Sequence, residues 1–421
     1  MESGEWKGWR TVRELFHNTG FRRLWAALVG LTLGDALMQM ALLELFRQNH
    51  HRFDERVETA KMLFAVALPG LLLGPVAMAY LGRWQRRSVL LLSDGFRAFV
   101  VLGMAAWLWP LETGRVEERH LVVVYALIFV IGTVATFYLP ARSAFLPNLV
   151  PRDKLMQANT LFTTSLAVAA IGGRALGGFV AEQFGVLVGI GANVAAYGLS
   201  VFWVWRIALP PHATSRDAVG GVPGGWAELR AGAAYLWGHP TALRLVCIAG
   251  AFALVGGLLL VEIVGYAMDT LQLRTGGVGY LIGAGGVGAA LGMAACARGW
   301  PWTRADWMPP MQLVLVGAVL LALGLTDRVW VAAPLVLLLG AAAATVAIHV
   351  DVKLQEQVEE TRRGAVFAAR GMLTSLTTVV AFWLQFGTAT LKRTPAPTVL
   401  LWLGVGTALM GLAALVSRRR T

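Results

Sequence analysis

The stretch AAIGGRALGGFV, residues 169–180, consists of glycine, alanine and large aliphatic residues around a single permanent cation, Arg174. Its composition is that of a helix packed inside a membrane, where small residues let neighbouring backbones approach. The rest of the chain has the same character. Of 421 residues, 57% are hydrophobic and 14% charged, and the mean hydropathy is +0.63. Soluble globular proteins carry about 25% charged residues, so this chain has too few to cover its surface in water. An integral membrane protein is the class that fits.

A hydrocarbon layer of about 30 Å needs roughly 20 apolar residues per helix, and runs of that length recur. They cover 24–46, 60–81, 88–109, 121–141, 157–181, 186–208, 242–268, 276–298, 309–325, 329–349, 365–391 and 397–416. Twelve membrane helices are expected, the ninth short. Lys and Arg concentrate in the polar breaks on the side of the N-terminus. By the positive-inside rule both termini are expected in the cytoplasm of a cell carrying this multi-pass protein in its cytoplasmic membrane. The first 20 residues are polar and amphipathic, and no cleavable signal peptide is expected.

The longest polar break, 210–241, separates an N-terminal six-helix bundle (1–209) from a C-terminal one (242–421). Its first part is rich in Pro, Gly and Ser and reads as a flexible linker. Trp226 to Trp237 has amphipathic spacing and is expected along the membrane surface. FRRLWAALVG (21–30) is similar to ALRLVCIAGA (242–251), so the two halves read as repeats, an arrangement that places a transport site near mid-membrane. The net charge of +12 lies in short breaks and forms no basic face, which excludes nucleic-acid binding as the explanation. Cys247 and Cys296 lie in apolar runs and read as small buried residues, with neither disulfide nor metal spacing.

Three stretches carry a family resemblance: GPVAMAYLGRWQRRSVLLLSDGFRA (74–98), PARSAFLPNLVPRDKLMQANTL (140–161) and LQEQVEETRRGAV (354–366). They resemble the major facilitator superfamily, in the branch of macrolide-efflux proteins and the enterobactin exporter. The resemblance implies an all-α fold of twelve transmembrane helices in two pseudo-symmetric six-helix bundles. It also implies alternating access, export driven by proton entry, and a cavity lined by the first and fourth helices of each half. The loop motif after the second helix survives as Gly74, Arg83, Arg86 and Arg87. Gly82 stands where the family has an aspartate that helps latch the halves, and Asp94 is the acid left to substitute for it. In the fifth helix the family's Gly-Pro followed by two glycines reads here Gly173, Arg174, Ala175, Leu176, Gly177, Gly178.

Charges inside the segments are the candidates for transport chemistry. At about 1.5 Å per residue, Asp35 lies about 16 Å up the first helix, Glu44 about 30 Å, and Arg174 about 25 Å up the fifth. Arg174 is expected to pair with Glu44 or Asp35 and take part in gating, or else to snorkel to the headgroups. Asp35 is the leading coupling candidate, because a mid-membrane carboxylate can hold a proton when buried and release it when the cavity opens to water. Gln39, with Met38 and Met40, sits one turn above Asp35 and is expected to offer cavity contacts. Glu262 faces either the cavity mouth or headgroups. Asp94 and Arg97, three residues apart, can pair on one helix face.

GAGGVGAALG (283–292) has the look of a dinucleotide fingerprint but follows no strand, and reads as close helix packing. No ATP-binding motif, metal-ligand cluster or nucleophile–base constellation stands out, so no enzyme, cofactor or metal is expected. The expected function is export of a lipophilic or amphipathic, drug-like or macrolide-like small molecule by proton antiport, by a monomer whose partners are substrate, protons and the lipid bilayer. A lysophospholipid or siderophore carrier of the same fold is the alternative, with a non-transporting assembly subunit behind it.

Overall fold

The computed structural model describes residues 13–80, 85–111, 116–151, 154–207, 225–297, 305, 307–387 and 394–418. The fold is all-α. Its helices are α1 (Thr19–Gln48), α2 (Glu55–Tyr80), α3 (Arg86–Leu108), α4 (Glu118–Phe145), α5 (Leu155–Phe184), α6 (Val186–Trp205) and α7 (Gly225–Gly238). They continue as α8 (Pro240–Gly265), α9 (Thr275–Ala297), α10 (Met308–Gly324), α11 (Val329–Gln357), α12 (Glu360–Gly387) and α13 (Ala396–Arg418). Every expected apolar segment coincides with one of these, and α7 falls on the amphipathic stretch. Eleven helices among the described residues are long and apolar enough to span a membrane, and α10, at 17 residues, is the short one.

Several helices outrun their apolar runs. α1 and α2 start five residues earlier than the hydropathy suggests, and α11 continues to Gln357. A helix that must satisfy its own backbone groups in lipid has no reason to stop where the side chains turn polar. Turns are tight where glycine allows it. Gly185, with φ of 90°, alone separates α5 from α6, a conformation that costs a residue with a Cβ. α8 ends in a π-turn over Tyr266–Thr270.

By contacts the chain divides into two units, one of residues 1–45 and 72–225, the other of 46–71 and 226–421. In the first, α1 is packed against α5 and α6 through glycines. A Cβ on Gly173 would sit 2.7 Å from Ala36 Cβ, one on Gly177 2.8 Å from Leu37 Cα, and one on Gly189 2.6 Å from Ala41 Cβ. Gly34 reciprocates, its missing Cβ facing Ala196 Cβ and, at 3.0 Å, Asn193 Nδ2. Gly178 is buried in the same helix as Gly177.

The second unit repeats the device. Gly285, Gly288 and Gly292 of α9 meet Val336, Leu337 and Ala341 of α11, and Gly340 of α11 faces Gly285. The GAGGVGAALG stretch is therefore a packing surface. Gly317 and Gly404 do the same for α10 and α13. α7 is not free of the protein: Gly232 abuts the Ala365 carbonyl, and Leu236 joins a core cluster with Val246, Val350 and Val366. The cysteines depart from expectation, since Cys247 is exposed on α8 and Cys296 is only partly covered. An apolar side chain facing lipid needs no burial in protein.

The α1–α5 contact makes a direct prediction. Gly177→Ala should lower the thermal unfolding temperature of the purified protein, because overpacking costs about 1–3 kcal/mol. Gly172→Ala, on the same helix with nothing within 4 Å, should leave it unchanged or raise it slightly, since alanine is the better helix former by up to about 1 kcal/mol.

Candidate functional site

The charged groups of the first unit gather around α1. Asp35 projects from the middle of that helix and remains partly exposed. Its Oδ1 accepts hydrogen bonds from Asn193 Nδ2 (3.0 Å) and Tyr197 OH (2.8 Å), both on α6. Those two residues are fully buried, and so is Ser200 one turn further on, which donates to Asp94 Oδ2 (2.6 Å). Asp94 also accepts from Arg97, the i, i+3 pair that the spacing predicts. The Arg97 guanidinium lies over the rings of Tyr138 on α4, 4.4 Å from the centroid, and Tyr197, 4.9 Å. One polar network thus runs from α1 through α6 to α3 and α4.

This geometry corrects two expectations. Arg174 pairs with neither Glu44 nor Asp35. It donates to Gln39 Oε1 (3.2 Å) and to the carbonyl of Ala170 one turn back on its own helix (3.2 Å). The reason is rotational: Asp35 is turned towards α6 and occupied by Asn193 and Tyr197, while the next turn of α1 presents Gln39 to α5. Asp94, expected to replace the missing loop acid, is completely buried with both carboxylate oxygens engaged by Arg97 and Ser200. It therefore serves the interior of its unit rather than a loop latch. Of the loop motif, Gly82 and Arg83 lie outside the described residues. Arg86 reaches Asn148 Oδ1 (3.4 Å), Arg87 donates to the Trp205 carbonyl, and Gly74 has open space where a Cβ would be.

The other cavity candidates are less available than the sequence suggests. Met38, Met40 and Glu44 are buried, while Gln39 accepts a hydrogen bond from Arg174. Glu262 is turned inwards. It is fully buried in the second unit and ion-paired through Oε2 with Arg56 NH1 at 3.3 Å. Arg56 also donates to the Thr394 carbonyl (2.9 Å) and runs its stem along Gly265, where any Cβ would collide with it.

Asn193, Tyr197, Ser200 and Arg56 are the contributors that sequence reading missed. Asn193, Tyr197 and Ser200 recur at spacings of four and three on α6, one helical face, and that periodicity was the available signal. Arg56 carried none, lying beside acids in a polar break.

Relatives place this architecture. The family model described as Major Facilitator Superfamily matches residues 62–382. An uncharacterised MFS-type transporter of Mycobacterium tuberculosis is 27% identical over 401 residues, covering 90% of this chain and 84% of its own. The enterobactin exporter EntS of Shigella boydii is 27% identical over 229 residues, 53% of this chain and 50% of its own. Among solved structures, the nucleoside transporter NupG aligns with a TM-score of 0.70 at 10% identity, over 95% of this chain and 98% of that one. A bacterial homologue of the iron transporter ferroportin in its inward-facing state aligns at 0.69 and 16% identity, over 94% and 97%. The chain is thus a multi-pass membrane transporter, not an enzyme, and belongs to the Major Facilitator Superfamily.

Proposed function

We propose that this protein exports a lipophilic or amphipathic small molecule from the cytoplasm by alternating access, in antiport with protons. In this reading residues 1–209 and 242–421 are the two repeats, 210–241 links them, and both termini are cytoplasmic. The observation that carries it is Asp35. It is a carboxylate midway along a membrane helix, partly exposed, held by neutral donors and backed by a buried guanidinium. A lone charge at a helix centre costs about 2.5–3.5 kcal/mol even on insertion scales, so its retention argues for a group that gains and loses a proton during work. Likeness to an enterobactin exporter over half the chain supports the outward direction.

A siderophore or other acidic substrate is the second reading, and Arg174 favours it. Its partners are an amide oxygen and a backbone carbonyl, acceptors that orient the guanidinium without neutralising it. A cation so placed is suited to recognise an anionic or electron-rich group.

Cells making the protein should expel a cationic dye and a macrolide, and a protonophore should stop them. Asp35→Asn, at matched protein level, should reduce efflux to the background of cells lacking the protein. Arg174→Gln separates the substrates. If the cargo is lipophilic or cationic, dye efflux should stay within twofold of wild type, about 0.4 kcal/mol at 1.4 kcal/mol per tenfold change. If the cargo is acidic, wild type should move a catecholate compound rather than the dye, and Arg174→Gln should abolish that movement.

A further inference from the structure

The network around Asp35 carries an imbalance of charge. Two carboxylates, Asp35 on α1 and Asp94 on α3, share one guanidinium, Arg97, through direct pairing on one side and the intervening Tyr197 on the other. The remaining titratable groups are Tyr138 of α4 and, behind it, Arg142 one turn along the same helix, a partly exposed cation whose link to the cluster runs through Tyr138. From α5, Arg174 is turned to Gln39, one turn along α1 from Asp35. Asp94, Asn193, Tyr197 and Ser200 have no exposed surface, and Arg97 has 3%. Asp35 is the one acid of the pair that is partly exposed, so water reaches the cluster only at that end, and a surplus charge so little hydrated is expensive. Arg97 compensates one acid. The other needs a counter-charge of its own.

A second observation agrees with that counter-charge being a proton. Asn193 spends its amide N–H on Asp35 Oδ1, but its Oδ1 is fully buried and has no hydrogen-bond donor. A buried acceptor left unsatisfied costs about 1–3 kcal/mol, and a protonated Asp35, already bonded to the same amide, is a group of the donor type that it lacks.

We propose that Asp35, Asp94 and Arg97 form a single proton-binding site, in which one exchangeable proton is shared by the two carboxylates and Arg97 is the fixed positive charge. The site deepens the assignment of Asp35 to coupling and rests on it. It makes Asp94 a functional partner rather than a structural filler. Asp35, partly exposed, is the point of proton entry, and Asp94 sets the charge that the proton must balance. When either acid is removed, the other is left in one-to-one balance with Arg97 and needs no proton.

That last property separates a shared site from a lone acid. Infrared spectra of the purified full-length protein in lipid nanodiscs, recorded from mildly acidic to mildly alkaline buffer, report the carbonyl stretch of protonated carboxyls. No substrate is needed. Wild type should show one titrating carboxyl that disappears in Asp35→Asn and disappears equally in Asp94→Asn. Arg97→Lys should keep it, and Arg97→Gln should enlarge it, because two acids then lack any cation. Bands from Glu44 and Glu262 cancel in the wild-type-minus-variant spectra. A band that survives in Asp94→Asn would give the proton to Asp35 alone and overturn the shared site, as would a wild type with no titrating carboxyl. If Asp94→Asn does not elute as a single folded species, Arg97→Gln decides the matter: a band larger than in Arg97→Lys supports two acids balanced by one cation, and a band of the same size overturns the shared site. Because the readout is independent of cargo, a protein that moves none of the test compounds can still show the site, and loss of the site leaves export by another coupling group open.

Discussion

The α1 helix lies where it does because glycine faces it from two sides. Lipid tails are as apolar as leucine, so helices in a bilayer gain nothing by hiding apolar surface from each other. They associate through close van der Waals contact and hydrogen bonds. Gly173 and Gly177 of α5 and Gly189 of α6 let the backbone of α1 approach to a distance at which any Cβ would clash. That approach makes the polar contacts possible. Gly34 lies against Asn193, so the neighbouring Asp35 reaches both Asn193 and Tyr197. On the opposite flank Gln39 comes within 3.2 Å of Arg174. The same economy governs the second unit, where α9 and α11 meet through Gly285, Gly288 and Gly340.

Three arginines within these helices are settled in three ways. Arg97 has an acid on its own helix and two aromatic faces. Arg56 has an acid on another helix and a carbonyl, with Gly265 leaving room for its stem. Arg174 has only an amide and a carbonyl among its hydrogen-bond acceptors. Burying an ion pair recovers much of the desolvation cost only when partner geometry is good, and the first two meet that condition. The third remains a cation with its charge unspent, which makes it a candidate for contact with cargo.

The architecture was largely legible in the sequence because length and hydropathy are strong constraints in a membrane. The twelve apolar runs, the glycine spacing at 173 and 177, and the Asp94–Arg97 pair all rest on periodicity within one helix. What could not be read was rotation between helices. Depth along the axis placed Arg174 level with the acids of α1, but Asp35 and Gln39 are one turn apart on nearly the same face, and height alone cannot choose between them. The choice is made by α6, whose Asn193 and Tyr197 claim Asp35. Each of these is an isolated polar residue in an apolar run and draws no notice until the face they share is recognised. The Arg56–Glu262 pair was hidden by a sequence separation of 206 residues.

The two units differ in how their buried charge is balanced, and this bears on where coupling resides. In the second, Arg56 also serves two acids, Glu262 at 3.3 Å and Asp54 at 3.7 Å, but only Glu262 is buried and Asp54 is open to solvent. The position matching Asp35 in the repeat is Gly256, exposed and with nothing near a would-be Cβ. In the first, two acids face one base. A repeat that preserves the helix but not the acid argues that the uncompensated charge belongs to the working of α1 rather than to the stability of the fold. A change in protonation at Asp35 acts first on the groups it touches, Asn193 and Tyr197, and through the Tyr197 ring on Arg97. These belong to α6 and α3. Between α1 and α6, Gly34 meets Ala196 and Asn193, and Gly189 meets Ala41, so the two backbones lie close and the Asp35 hydrogen bonds can cross the gap. The helix pair that carries the charge is thus joined by the very hydrogen bonds that a proton on Asp35 would alter.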